Sequence, residues 1–225
     1  MTHIHMVSFL PTHLTIGRIS ARWFFVFFGL FAVLISPAFG FDRYTAHGGP
    51  VRGLALSPDG STLVTASFDY SAVVWGTQAF EEQATLLGHE AAVNTAAFSA
   101  DGSLLATAGD DGSVLLWTKE QIGNDSAEPV VLQGHKGKVV DLAFSNDGTM
   151  LASASWDGSI GIWPLAGRGL DGSQPARFIT GHEGPVNAVQ FSANNEYLYS
   201  AGYDCLLYTS PSPRDQRGSR MPSSA

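Results

Sequence analysis

Four histidines and four aspartates recur along the 225-residue chain at one fixed separation: His47 with Asp69, His89 with Asp111, His135 with Asp157 and His182 with Asp204, 22 residues apart each time. Between the members of each pair stands a hydroxyl residue, at Thr65, Thr107, Ser153 and Ser200. Hydroxyl, imidazole and carboxylate are the parts of a nucleophilic relay, in which the imidazole takes the hydroxyl proton and the carboxylate orients the imidazole. Histidines with carboxylates are equally the parts of a metal site. Repetition argues against both. Ser153, His135 and Asp157 have a counterpart in every repeat, as a structural device does and a catalytic centre does not. The other three histidines, His3, His5 and His13, lie near the N-terminus, so no imidazole is spare for a metal. No metal, no cofactor and no enzymatic activity are therefore expected. The adjacent Asp110 and Asp111 read as a turn residue beside a member of the recurring set, not as a general acid and base.

The elements that must position these residues follow from the repeat. Successive histidines step by 42, 46 and 47 residues, a period that signals a propeller or a solenoid. Within the third unit an apolar run, Val139–Ser145, is followed by Asp147-Gly148 and a second run, Met150–Ser155. Asp-Gly between two such runs predicts a tight hairpin with positive φ angles. Asp59-Gly60 and Asp101-Gly102 repeat the signal, and Asn194-Asn195 stands in its place in the fourth unit. A second turn at Asp157-Gly158 leads to a strand ending at Trp163, and Arg177–Thr180 supplies a fourth strand. Each period thus encodes one four-stranded antiparallel sheet. Val114–Trp117 is apolar on consecutive residues, which fits a sheet covered on both faces, and radially stacked blades provide that cover.

These residues resemble a WD-repeat β-propeller, over Phe41 to Asp204. The expected fold is all-β: an incomplete propeller of about three and a half four-stranded blades, forming an open arc. The resemblance implies that histidine, hydroxyl, aspartate and third-strand tryptophan form one hydrogen-bonded brace per blade. The sets are His47, Thr65, Asp69 and Trp75; His89, Thr107, Asp111 and Trp117; His135, Ser153, Asp157 and Trp163; and His182, Ser200 and Asp204 without a tryptophan. The aspartate that usually follows the tryptophan is replaced by Gly76, Thr118 and Pro164. The resemblance also implies a partner-binding rim at the Gly-His loops, where Phe68, Asp110, Trp156 and Tyr203 precede the turn aspartates. With Tyr70 they suggest an amphipathic contact surface, to which Arg52, Asn94, Lys138 and Asn187 add polar contacts. The same aromatics also suit a structural lid over the blade tops. Protein partners are expected.

The flanks read differently. Arg18 and Arg22 precede an apolar run over 23–35, then Ser36-Pro37-Ala38-Phe39-Gly40. Positive flank, short apolar core and small residues make a secretory signal cleaved after Gly40, with an uncleaved signal anchor as the alternative and the only membrane attachment expected. Thirteen apolar residues fall short of the roughly 20 that span a bilayer. The expected domains are a signal at 1–40, a propeller at 41–204 and a tail at 205–225. From Cys205, the only cysteine, the spacing is lost; the tail resembles a translated sequencing adapter, or else a disordered Pro-, Ser- and Arg-rich end. Connections 118–129 and 164–175 read as solvated loops. Residues 41–204 hold seven Lys and Arg against 19 Asp and Glu, a net charge of −12, which disfavours nucleic acid. The function expected is an exported, periplasmic, non-catalytic interaction scaffold. A second reading makes it the first half of a larger exported protein bearing a c-type haem or another functional domain.

Overall fold

A strand whose neighbours cover both faces can be buried on consecutive residues, and the second and third strands of the first three repeats are built that way. In a computed structural model of the chain, the described residues are 4–6, 42–123, 128–165 and 177–211. Most of the expected leader, with its apolar run and the cleavage point after Gly40, lies outside them, as do 124–127, 166–176 and the tail from 212. The chain divides into two units, His3–Thr45 and Ala46–Ala225 with Met1–Thr2. In the smaller, β1 (Ile4–Met6) pairs antiparallel with β2 (Asp42–Tyr44). The segment expected to lead into the first repeat is therefore a strand, and its partner comes from the segment read as leader.

The larger unit contains four sheets in sequence order. The first is β3 (Val51–Leu56), β4 (Thr62–Ser67), β5 (Ala72–Gly76) and β6 (Glu81–Leu86). The second is β7 (Val93–Phe98), β8 (Leu104–Gly109), β9 (Val114–Thr118) and β10 (Val130–Leu132). The third is β11 (Val139–Phe144), β12 (Met150–Ser155), β13 (Ser159–Pro164) and β14 (Arg177–Thr180). The fourth is β15 (Val186–Phe191), β16 (Tyr197–Gly202) and β17 (Leu207–Pro211). Every pairing is antiparallel. The fold is an all-β, incomplete open propeller.

Four details differ from the sequence reading. The Asp-Gly connections are four-residue loops, not two-residue turns: Ser57 N–H donates to Thr62 O at 2.8 Å and Gly60 N–H to Ser57 O at 2.9 Å. Only the glycine takes a positive φ, 71° at Gly60, because Asp59 Oδ1 accepts from the Ser57 hydroxyl at 2.6 Å and from Ser61 N–H at 3.0 Å, which pins the loop. The 118–129 connection is not wholly solvated: α1 (Lys119–Ile122) opens it and buries Ile122 in the core. The first strands carry a bulge at the second residue. And the pattern does not stop at Cys205. Leu207–Pro211 pairs with Tyr197–Ala201 of β16, with Leu198 opposite Ser210 and Ser200 opposite Tyr208, because alternation and an unpaired β16 edge suffice to recruit a strand.

Adjacent sheets meet through their first strands, β3 on β7, β7 on β11 and β11 on β15. Each junction has its own apolar core. Val64, Val74 and Leu86 of the first sheet meet Leu105, Leu115 and Trp117 of the second. Ala106, Val114 and Leu116 meet Leu142, Phe144 and Trp163, and Ala152, Ile160 and Ile162 meet Val189, Phe191 and Leu198. Full burial of one such Leu, Ile or Phe is worth about 1.5–3 kcal/mol. The first junction is so close that a Cβ at Gly53 would stand 2.8 Å from Asn94 O.

Candidate functional site

The hydroxyl at the centre of the second strand, the imidazole before the first strand and the carboxylate of the second turn converge because hairpin pairing folds them onto one spot. His47 Nδ1 lies 2.9 Å from Asp69 Oδ2, its Nε2 lies 2.7 Å from Thr65 Oγ1, and Trp75 Nε1 donates to that oxygen at 3.0 Å. The second sheet gives 2.8, 3.0 and 3.2 Å for His89, Thr107, Asp111 and Trp117. The third gives 3.1, 2.7 and 2.8 Å for His135, Ser153, Asp157 and Trp163. In the fourth, His182 Nδ1 lies 2.8 Å from Asp204 Oδ2 and Nε2 lies 2.9 Å from Ser200 Oγ. Ser210 occupies the register position of the tryptophan.

The carboxylates are held ionised. Burial alone would raise the Asp69 carboxyl, but the Ser71 hydroxyl, Gly48 N–H and His47 outweigh it and hold it at about 2. Burial works the same way on Asp157, against the Ser159 hydroxyl and the Lys136 and Ser159 N–H groups, again to about 2. In Asp111 the donors that outweigh burial are His89 and Ser113, and the carboxyl is depressed further. Asp204 is lowered too, against its own burial, by Leu206 N–H, His182 and Glu183 N–H. Burial pushes the His135 imidazole down despite Asp157. A neutral ring beside an ionised carboxylate donates from Nδ1 and accepts the Ser153 hydroxyl proton at Nε2, so every proton in the third set is assigned. The Ser153 hydroxyl, fully buried and pinned between an indole and an imidazole, braces the sheet. A Cβ placed on Gly161 would lie within 2.9 Å of Ser153 Oγ, His135 Nε2 and Trp163 Nε1. Phe178, directly opposite Gly161, packs on His135 with ring centroids 5.1 Å apart. Among the described residues no group of three or more His, Cys, Asp or Glu is placed to hold a metal.

The rim residues are placed by a second recurring bond. Phe68, Asp110, Trp156 and Tyr203 donate their N–H to the carbonyls of Pro50, Ala92, Lys138 and Pro185, at 2.8–2.9 Å. The structure brings one group of them together. Lys138 Nζ lies 3.8 Å from the Trp156 ring centroid, Trp156 Nε1 donates to Asn187 Oδ1 at 3.1 Å, and Tyr203 meets Trp156 edge-on at 5.9 Å. In the first sheet Arg52 Cζ lies 4.9 Å over Phe68, and Tyr70 is exposed with φ at 72°. Asn94 departs from expectation: it is buried, its amide donates to Asp110 Oδ1 at 2.7 Å and to Val139 O at 2.9 Å, and it offers no donor outward. Lys138 differs also. Arg52, Asn94 and Asn187 are the bulge residues, whereas Lys138 sits two places before its bulge residue, Val140, and still reaches its aromatic neighbour because its side chain is long.

The repeat model described as WD40, WD domain, G-beta repeat matches residues 41–76, 80–118, 128–164 and 173–208, more than half of the chain. The chain belongs to this family. No curated protein matches it. The fourth WD repeat extends past Cys205 to Tyr208, and the Tyr208 ring stands 4.5 Å from His182. Sequence reasoning missed the polar ties between WD sheets. Val189 N–H donates to Asp141 Oδ2 at 2.9 Å, and burial raises the Asp141 carboxyl against the Val189 and Leu142 N–H groups. Asn146 N–H donates to Asn195 Oδ1 at 2.8 Å. A lone carboxylate in the apolar run Val-Val-Asp-Leu-Ala-Phe was the available signal.

Proposed function

We propose that this chain, like WD-repeat chains generally an interaction scaffold, is non-catalytic, exported and periplasmic and grips a protein partner on the Gly-His rim of its third and fourth sheets. The observation that carries the reading is the cluster of Lys138, Trp156, Asn187 and Tyr203, in which two aromatics stand exposed although each has a fixed orientation. Exposed aromatics held rigidly, with a cation and an amide beside them, lose little entropy on binding and suit protein contacts. Arg52 and Phe68 extend the surface, and an acidic body around these cations disfavours nucleic acid. Every repeat imidazole and its hydroxyl already serve the braces, which supports the non-catalytic part. Export rests on Arg18, Arg22, the apolar run and the small residues before Phe41. Among the described residues no helix is long and apolar enough to cross a membrane.

The test is affinity capture and crosslinking from a periplasmic extract with the parent chain and with Trp156→Ala and Phe68→Ala. The expected result is loss of the captured partner with an unchanged circular dichroism spectrum. Lost folding with no specific loss of binding would sink the rim reading. Export is tested by fusing residues 1–45 to a reporter that is active only outside the cytoplasm and sequencing the processed end, expected at Phe41.

A further inference from the structure

The third sheet departs from its sisters at two places on the Gly-His rim. Directly after the repeat histidine stand Gly48, Glu90, Lys136 and Glu183, and two residues further Pro50, Ala92, Lys138 and Pro185. The backbone does the same work at these positions in every sheet. The N–H of the first donates to the turn aspartate at 2.8–3.2 Å, and the carbonyl of the second accepts the N–H of Phe68, Asp110, Trp156 or Tyr203 at 2.8–2.9 Å. Glycine and glutamate serve at one place, proline and alanine at the other, so the fold needs a lysine at neither. The two ammonium groups are left for something else.

Their surroundings are unusual for so acidic a chain. Residues 41–204 hold 19 acidic side chains against seven basic ones, yet neither Lys136 nor Lys138 forms an ion pair with a carboxylate among the described residues. Lys138 lies on the indole of Trp156, its Nζ 3.8 Å from the ring centroid, a contact that orients the ammonium without cancelling its charge. Lys136 is exposed, with its backbone fixed on Asp157. Trp156 is 39% exposed although the third sheet has a neighbour on each side, β7 and β15 both packing on β11. An oriented cation on an exposed indole, with a second cation two residues away, complements carboxylates next to an apolar side chain. We infer that the third-sheet rim takes an acidic segment of the protein partner, one carboxylate on Lys138, one on Lys136 and an apolar side chain against Trp156. The inference rests on the rim reading above and adds the chemistry of what is gripped. The adjoining rims carry Glu90 and Asp110 in the second sheet and Glu183 in the fourth, which repel a polyanion that runs beyond the two lysines. The site therefore suits a short run of Asp or Glu and not a phosphate backbone.

The probe is a fluorescein-labelled peptide of repeating Glu-Glu-Phe, with its Lys-Lys-Phe counterpart and an oligothymidylate for comparison, titrated with the full chain and read by fluorescence anisotropy. The acidic peptide alone is expected to bind, and to be released as salt rises from about 0.1 M to about 1 M, which shortens the screening length from about 10 to about 3 Å. The double variant Lys136→Glu, Lys138→Ala places in the third sheet the residue types of Glu90 and Ala92. It is expected to keep the parent's circular dichroism spectrum and to bind the acidic peptide at least about tenfold more weakly. Lys119→Glu, in α1, whose N–H donates to Ser103 O beside an Asp-Gly loop, is expected to bind like the parent. The inference is overturned if the acidic peptide does not bind, or if the basic peptide or the oligonucleotide binds as tightly. It is overturned also by a double variant that binds like the parent, or by an equal loss in Lys119→Glu. Partner capture separates this result from the rim reading: a partner lost with Trp156→Ala but kept by the double variant overturns the acidic segment and leaves the rim standing.

Discussion

The third and fourth sheets carry the same brace at different degrees of completion. In the third, Trp163, Ser153, His135 and Asp157 are joined by Ser159, whose hydroxyl donates to Asp157 Oδ1 at 2.6 Å. In the fourth, Ser210 replaces the tryptophan, and Leu206 stands where Ser159 does and offers only its N–H to Asp204, at 3.1 Å. The aromatic cover differs as well: Phe178, opposite Gly161, in the third, Tyr208 in the fourth. A buried polar network stiffens a sheet in proportion to its completeness, because any member left unpaired costs desolvation that nothing offsets. The third sheet is accordingly the sensitive one, and the fourth holds its histidine with aromatic cover and fewer bonds.

The largest test of that contrast is Trp163→Ala. It removes a buried indole and the N–H that the Ser153 oxygen accepts, and the expected loss in urea unfolding is about 4 kcal/mol. Ser210→Ala, at the equivalent register position, is expected to stay within about 0.5 kcal/mol. Next, Asp157→Ala leaves His135 Nδ1 with only Ser159 Oγ, 3.2 Å away, and is expected to cost about 2–3 kcal/mol, with Asp204→Ala costing roughly half as much. Equal losses would mean that completeness is irrelevant. Gly161→Ala, which drives a methyl into the brace atoms, is expected to destabilise by about 1–3 kcal/mol by the same assay.

Acid separates groups within the brace more gently. The folded imidazole of His135 titrates below the ordinary 6.5, so the unfolded chain binds the proton first and stability falls as pH drops from 6.5. The carboxylates of Asp69 and Asp157, depressed from 3.8 to about 2, contribute stability present above 3.8 and lost between there and about 2. Hydrogen exchange is expected to show weakening of β12 and β13 already at pH 5, and His135→Gln is expected to flatten that step. The smallest effect is outside both sheets. Tyr70 occupies the position of Gly112 and Gly158 with a left-handed φ of 72°, and Tyr70→Gly is expected to raise stability by about 1 kcal/mol in a thermal melt.

Much of this was legible in the residues. The 22-residue spacing, the hairpin signals and the alternation of strand and turn sufficed to place three complete braces, since strands joined by short loops pair with their sequence neighbours and the geometry within one sheet is local. The Asp-Gly loops were read too tightly because the role of Ser57 and Ser61 in binding the Asp59 side chain is not visible in a dipeptide. Tyr208 escaped because its segment keeps the register of the third repeat but not the residues that mark it, with Ser210 where Trp163 stands and Tyr208 where Gly161 does.

What the sequence determined by itself is the unit: the period, the brace and the sheet that holds it, all set by contacts inside one repeat. Only the tertiary structure decided what depends on two sheets at once. It turned Asn94 inward to Val139, 45 residues away, tied Trp156 to Asn187 across 31 residues, and buried Asp141 beside Val189. Those outcomes follow from how one sheet stacks on the next, and no spacing within a repeat encodes the position of its neighbour's side chains.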